Sequence, residues 1–416
     1  MDASRPLDRP RVVISRAALF HNITLLRQRV GPAVRICAMV KADAYGHGAA
    51  LIADALSNFC CERLKAPAAD ALAVATIDEA AALHPSAVPL LILRPVENVY
   101  LARLREPLEA AITNGWVLTV ISPEAVGDVA RIAIACQRRA HVQIMLDTGV
   151  AREGAPVDRL GEIMRAIEAQ PSIRLAGLCT HFASSEEPQD PFTADQLRRF
   201  RAATEHVIVA NPRIIRHAAN SAAIFHLPAS HLDMVRPGIS VYGVDPCGRP
   251  TVERALRPVL RWEAPLMLIR DVSPGGSVGY NQTWRAARPT RLGLLPIGYA
   301  DGYLRCFSNR AMMLVRGRPV PVVGRVSMDY TTIDLSDVPQ AAVGDAVTVL
   351  DDDPLSPASV YALAELAGTI PYEILTRIGP RVVRVGVDPP DEPEEPFEQE
   401  IEGRQGANDE GRSPNG

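Results

Sequence analysis

The sequence predicts an α/β fold, an N-terminal (β/α)8 barrel followed by a mainly β domain, and two patterns carry that expectation. From residue 12 to about 245, eight short apolar runs alternate with longer segments whose apolar residues recur at three and four spacing. After residue 245 the texture changes to short alternating runs broken by Gly and Pro. Strand–helix alternation of this length implies a parallel sheet, and eight repeats close it into a barrel with helices outside. A doubly wound open sheet is the alternative, and it requires only that one strand be miscounted.

The eight runs, in order, are AVRICAMV, ALAVAT, PLLILRP, WVLTVIS, HVQIMLD, IRLAGLCTHF, RIIRHAAN and DMVRPGISVYG. The segments of helical period between them include RAALFHNITLLRQR (16–29), PEAVGDVARIAIACQ (123–137) and DQLRRFRAATEHVIVA (195–210). The second domain reads as RWEAPLMLIRDV, RLGLLPIGYADGY, AMMLVRGRPVPVVGRVSMDYTTIDL, GDAVTVLDD and RIGPRVVRVGV, interrupted by one helix, ASVYALAELAG (358–368). The expected boundaries are therefore a barrel over 12–245 and a β domain over 246–388, to which residues 1–11 can attach. Residues 389–416 follow as a disordered acidic tail, with too little apolar surface to offset the entropy of ordering.

Composition excludes several classes. With 47% hydrophobic and 22% charged residues the chain reads as soluble and globular. The tail carries nine acids against two arginines, so the net charge of -4 leaves about +3 on the body, too little for a nucleic-acid footprint. No run approaches the roughly 18 apolar residues of a membrane span, and MDASRPLDRPRV lacks the apolar stretch of a secretory signal, so a cytoplasmic protein is expected. The seven cysteines are scattered without a CxxC, which argues for reduced, structural thiols and against a disulfide framework or a thiolate zinc site; no metal is expected.

Only two of the 44 basic residues are lysines, Lys41 and Lys65. Wherever plain positive charge suffices, this chain uses arginine. A primary amine can deprotonate and form a Schiff base, which a guanidinium cannot, so a retained lysine at the end of the apolar run in ICAMVKADAYGHG points to covalent chemistry. Lys65, in a polar stretch, reads as a surface residue. Barrel chemistry collects at the carboxyl ends of the strands. Arg152, His181, Asn220, Ser221, Arg236 and Gly238 fall there with Lys41. Taken singly, each has an ordinary structural explanation, such as a helix cap, a satisfied histidine or an ion-paired arginine. Their joint placement at one end of successive strands favours a site.

At these residues the chain resembles the alanine racemase family of the pyridoxal-phosphate-dependent barrel type, over roughly residues 10 to 385. The matching motifs are VKADAYGHG (40–48), THFA (180–183), HAANSAA (217–223), VRPGISVYG (235–243), SVGYNQTW (277–284), GYADGY (298–303), GRVSMDY (324–330) and PYE (371–373). The resemblance implies racemisation of L- and D-alanine, either supplying D-alanine for cell-wall peptidoglycan or allowing its catabolism. It implies that Lys41 holds pyridoxal 5′-phosphate as an internal aldimine. Tyr45, Ser221, Gly238, Ile239 and Tyr372 would hold the phosphate, with His181 and Asn220 beside the cofactor and Arg236 donating to its ring nitrogen. A guanidinium cannot pass the ring a proton, so the ring would stay a weak electron sink, which favours simple reprotonation at Cα.

Racemisation needs a base on each face of Cα, and the family's pair falls on Lys41, acting on the D-isomer, and Tyr280, acting on the L-isomer. A free phenol titrates near pH 10, so the resemblance implies a positive neighbourhood for it, built from His181, Arg236 and His217. In the family this tyrosine comes from the partner subunit, which implies a homodimer with composite sites. The substrate carboxylate would meet Arg152 and the backbone amide of Met328, with Tyr299 and Asp329 shaping the entrance and Tyr372 narrowing the space around the side chain.

Two departures stand out. Many relatives carry a carbamylated lysine where this chain has Met145, so Arg152 needs another support, for which Asp147 or chloride is the expectation. Asn281 stands where glycine is usual. Among rival readings, a basic amino acid decarboxylase would place an acid, not Arg236, at the ring nitrogen, and a single-barrel cofactor carrier would lack the second domain. A broad-specificity racemase would be exported behind a signal peptide.

Overall fold

The computed structural model describes residues 7–58, 60–61, 66–96, 101–250 and 254–387. Lys65 and the acidic tail lie outside the described residues. Strand β1 (Arg11–Ser15) opens the chain, and eight strands follow: β2 (Arg35–Met39), β3 (Ala71–Val74), β4 (Leu90–Pro95), β5 (Val117–Val120), β6 (Ala140–Asp147), β7 (Ile173–Cys179), β8 (Ile215–His217) and β9 (Met234–Val235). Each pairs in parallel with its successor, and β9 returns to β2 through Met234 opposite Arg35 and Val235 opposite Ile36. The ring is closed. The expected (β/α)8 barrel is the fold, and the open-sheet alternative falls with that last pairing.

Several helices begin where a side chain satisfies their first amides. Ser15 accepts from Ala18 N–H ahead of Arg16–Val30, Ser122 accepts from Ala125 N–H ahead of Pro123–Ala135, and Thr76 with Glu79 makes a reciprocal capping box at Ile77–Ala82. In the first of these, Leu19, Ile23, Leu26 and Val30 are buried at three and four spacing. Each such side chain contributes about 1.5–3 kcal/mol when fully buried, which holds the helix against the barrel wall.

The second domain has a six-stranded sheet and a three-stranded one. Its strands are β10 (Leu260–Pro265), β11 (Leu268–Val272), β12 (Thr290–Leu295), β13 (Met312–Val315), β14 (Arg318–Pro321), β15 (Thr331–Asp334), β16 (Ala346–Leu350) and β17 (Val383–Val387). The larger sheet runs β14–β13–β16–β10–β1–β17 and the smaller β11–β12–β15. The barrel expected from residue 12 thus takes its first strand only at Arg35. With the ring closed by β9 and β2, β1 pairs instead between β10 and β17, setting Val12 opposite both Trp262 and Arg384. The expected helix lies at Val360–Ala367, and a further one, Pro371–Thr376, comes to the barrel mouth. A Cβ on Gly46 would sit 2.2 Å from the Leu375 carbonyl oxygen, so the two domains touch backbone to backbone there. Among the described residues no helix is long and apolar enough to cross a membrane.

Candidate active site

Lys41 follows the end of β2 and opens an unusual turn. Ala42, Asp43, Ala44 and Tyr45 all have φ between 52° and 55°, one turn of left-handed helix made from non-glycine residues. This conformation costs roughly 1–2 kcal/mol per residue, so it persists only because its surroundings fix it. The Glu79 carboxylate accepts from Ala42 N–H at 2.8 Å, Asp43 accepts from Ala49 N–H at 2.7 Å, and Arg384 donates to the Gly46 carbonyl at 3.1 Å. The buried His47 ring lies 3.0 Å from the Ala44 and Tyr45 carbonyls. Strain held at one lysine marks a functional position. Burial lowers the Lys41 pKa from its ordinary value, with Arg152 acting in the same direction and Glu153 opposing, so the amine is nearer its nucleophilic form.

The turn opens onto a cavity of about 960 Å³ whose wall also carries Tyr45, Arg152, His181, Asn220, Ser221 and Arg236, together with Gly238, Ile239 and Tyr372. The sequence-predicted barrel residues are therefore brought together. Arg236 is only 4% exposed, donating to His217 Nδ1 at 2.8 Å and to the Thr180 and Ala218 carbonyls at 2.7 and 3.3 Å. Because a guanidinium only donates, His217 must accept at Nδ1 and carry its proton on Nε2. Burial first, then Arg236, pushes His217 well below the ordinary histidine range, and burial with Arg236, Arg152 and Lys41 brings His181 down to about 3. Both rings are neutral at physiological pH. The result is a fixed positive charge, aimed by neutral partners, at the floor of the cavity.

Beside it is a cradle suited to an anion. Ser221 Oγ accepts from Gly238 N–H at 2.9 Å and Ser240 N–H at 3.3 Å, so two backbone donors converge there. A Cβ on Gly238 would lie 2.4 Å from the Tyr45 hydroxyl, which leaves glycine as the residue that fits. The Tyr45 ring packs on Tyr242, with centroids 5.0 Å apart, and 6.0 Å from Tyr372. Asn220 caps the helix Ser221–His226 through Ala223 N–H, which sets the turn that carries Ser221. An aldehyde-bearing aromatic phosphate fits these groups: an amine for the carbonyl, a guanidinium for a ring acceptor, and hydroxyls with converging amides for the phosphate.

Around Arg152 the structure departs from expectation. Met145 is a buried wall residue, and Asp147, one of the two expected supports, is occupied by Gly149, Val150 and Ala151 N–H at 2.8, 2.9 and 3.0 Å. Arg152 instead donates through both Nε and Nη2 to the Glu153 carboxylate, the second bond at 2.7 Å.

Of the predicted residues, His217 stands behind Arg236 without lining the cavity, and four others lie away from it: Tyr280, Met328, Tyr299 and Asp329. They lie on the second domain, where Tyr280 is 70% exposed, Met328 53% and Tyr299 43%. Asn281 takes φ 60°, which asparagine tolerates better than most residues, so the loop keeps a backbone that glycine would also allow. Gly298 lets the GYADGY loop lie against the Ser327 and Met328 carbonyls, both 2.3 Å from where its Cβ would be. Asp329 is tied to Arg381, which also holds Asp301. Sequence reasoning missed Glu79, Glu153 and Tyr242. Tyr242 donates to the Met39 carbonyl at 2.7 Å and stacks on His47 at 4.3 Å, bracing the lysine turn from below. It stands inside the motif VRPGISVYG, a signal that could have flagged it.

Comparison with known proteins bears on both halves. The family model described as the alanine racemase N-terminal domain matches residues 14–246, and that for the alanine racemase C-terminal domain matches 259–386. The chain is 37% identical to an alanine racemase of Desulfovibrio desulfuricans over 378 residues, 90% of this chain and 97% of the relative. Among solved structures it is similar to alanine racemase from Streptomyces coelicolor A3(2), at 36% identity and a TM-score of 0.80, covering 91% of this chain and 98% of that one. It is also similar to alanine racemase from Clostridium difficile 630, at 30% identity and a TM-score of 0.82, covering 92% and 96%.

Proposed function

The chain belongs to the alanine racemase family, and from that membership we propose that it interconverts L- and D-alanine with pyridoxal 5′-phosphate held by Lys41. The observation that carries the reading is the meeting, in one cavity, of a strained and partly desolvated lysine with a buried arginine and a converging anion cradle. Bound there, the cofactor would supply an electron sink that acidifies the Cα–H bond of an attached amino acid. Arg236, permanently protonated and gripped by His217, would donate to the ring nitrogen without surrendering a proton, which would limit side reactions. Gly238, Ile239, Ser221, Tyr45 and Tyr372 would hold the phosphate, and His181 and Asn220 would flank the cofactor. Arg152 meets the substrate carboxylate.

Lys41, once free, moves a proton on one face of Cα, and Tyr280 does so on the other. The exposure of Tyr280, Tyr299, Met328 and the nearby Tyr330 supports a homodimer, because a surface with this much aromatic and apolar area favours association. In that assembly a partner's Tyr280 would complete each cavity, with the Met328 amide on the substrate carboxylate and Tyr299 and Asp329 at the entrance. The purified protein should show a visible absorbance that borohydride discharges onto Lys41, and should racemise both isomers of alanine. Lys41→Ala should lose the reducible absorbance and at least about 10³-fold in turnover. A Lys41→Ala protein that still racemises alanine would remove the amine, and with it this reading.

A further inference from the structure

We propose that Glu153 is the positioning residue for Arg152: its carboxylate grips one edge of the guanidinium so that the other edge is presented to the substrate's carboxylate. The inference deepens the racemase reading and rests on it. Glu153 takes Nε and Nη2 of Arg152 together, the bidentate arrangement that fixes a guanidinium in its plane as well as at a point. Nη1 lies outside that pair. The alternatives on this wall are spent. Met145 is apolar, Asp147 is held by three backbone amides, Asp245 pairs with Arg254, Glu373 pairs with Arg377, and Glu186 accepts from the Ser185 hydroxyl at 3.4 Å. Among the described cavity residues, Glu153 is thus the acid that engages Arg152.

Its setting gives the contact weight. The Glu153 side chain is 29% exposed, less than the 59% of Arg152, and it acts electrostatically on Lys41, His181 and Arg236 as well. One carboxylate therefore acts on Lys41, Arg152 and Arg236 together. Without it, Arg152 hangs from an exposed loop on a long stem, free to sample many rotamers, and ordering those rotamers falls on substrate binding. Two opposite consequences are conceivable for substrate affinity, because Glu153 both orients Arg152 and repels a second carboxylate. The bidentate geometry, which leaves one edge open, points to orientation as the larger effect.

The test uses the holoenzyme with propionate, which has alanine's carboxylate and lacks its amine. Calorimetric binding of propionate should weaken about tenfold in Glu153→Gln, and KM for alanine should rise by a similar factor while kcat changes less than about threefold. Glu153→Asp should recover part of the loss. In an Arg152→Ala background, Glu153→Gln should change propionate binding by less than about twofold, because its effect runs through the arginine. Tighter propionate binding in Glu153→Gln makes Glu153 a competitor for Arg152 and overturns the proposal, as does an equal loss with and without Arg152. Unchanged binding sinks this inference while leaving the racemase reading intact. Absence of racemisation in the unaltered chain sinks that reading itself.

Discussion

The barrel mouth and the loop face of the second domain both carry predicted site residues, yet they are built in opposite ways. At the mouth, the groups are held from within their own chain: Arg236 by His217 and two carbonyls, Ser221 by converging amides, the Lys41 turn by Glu79, Asp43 and Arg384. On the second domain the backbone is equally well fixed, through Gly298 against Met328 and Asp329 against Arg381, but the side chains of Tyr280, Tyr299 and Met328 stand in the open. A rigid loop that presents exposed aromatic and thioether groups has had its contacts arranged for something outside the chain. Under the proposed dimer, the difference teaches that one half of a composite site would look finished and the other idle, the idle half being marked by a rigid backbone under exposed apolar side chains.

The largest effect that tests this contrast comes from the idle half. Tyr280→Phe removes one hydroxyl from a residue 70% exposed, where a surface change ordinarily costs within about 0.5 kcal/mol of stability. L-to-D turnover should nevertheless fall by roughly 10²–10⁴-fold, the range a positioned acid–base group supplies, while the cofactor stays bound. Mixing Tyr280→Phe with Lys41→Ala chains, each inactive, should restore about a quarter of the wild-type activity if subunits exchange freely, since half the dimers then hold one intact site of two. No recovery on mixing, with exchange shown by a mass tag, would place both groups in one chain.

Much of this arrangement was legible in the sequence, and the parts that were not share a physical cause. The eight barrel strands were readable because each is a short apolar run bounded by a helix of different period, and every one of the runs from AVRICAMV to DMVRPGISVYG became a strand. The residues from Val12 were expected in the barrel, but local pattern cannot say which sheet receives a strand, and β1 went to the second domain. The cavity residues Lys41, His181, Ser221 and Arg236 were readable from chemistry at strand ends. Glu79 was not, because its partners are backbone amides, one of them 37 residues earlier. Glu153 was missed because an acid next to an arginine in a loop looks like ordinary surface charge, and Asp147 was favoured although its own loop consumes it.

A middle-sized effect separates rigidity of the mouth from its chemistry. The two carboxylate oxygens of Glu79 divide their work, one on Ala42 N–H and the other on Ala75 and Thr76 N–H at 2.7 and 3.2 Å. Glu79→Gln keeps the shape but turns one acceptor into a donor, leaving an amide unsatisfied at a cost of about 1–3 kcal/mol. The left-handed turn is the weaker of the two structures, so it should yield. Trapping of the cofactor on Lys41 by borohydride at limiting cofactor should slow about tenfold, with a melting temperature lowered by only a few degrees. Equal trapping by Glu79→Gln and wild type would show that the turn holds without Glu79.

The smallest effect distinguishes the two regions by pH. All nine histidines precede residue 232, so the second domain from residue 246 has none. Three of them lie at or beside the mouth: desolvation brings His47 down to about 4 and His181 to about 3, and holds His217 well below its ordinary value. A histidine whose folded pKa is depressed costs nothing above about pH 6.5, where the unfolded chain is neutral too. As pH falls below 6.5 the unfolded chain takes up protons that the folded one refuses, so stability is lost from there down toward the folded values. Each fully buried site contributes up to about 1.4 kcal/mol per pH unit in that window. The second domain has depressed carboxylates instead, such as Asp345 held low by its hydrogen bond from Arg316, and these matter only at more acid pH, where the unfolded carboxylate begins to protonate. Hydrogen exchange, corrected for its intrinsic pH dependence, should therefore show protection fading between pH 6.5 and 4.5 in β2, β7 and β8 before it fades in β10 and β16. Simultaneous loss in both regions would show that the barrel mouth and the second domain unfold as one unit, and that the contact between Gly46 and Leu375 couples them more tightly than their chemistry divides them.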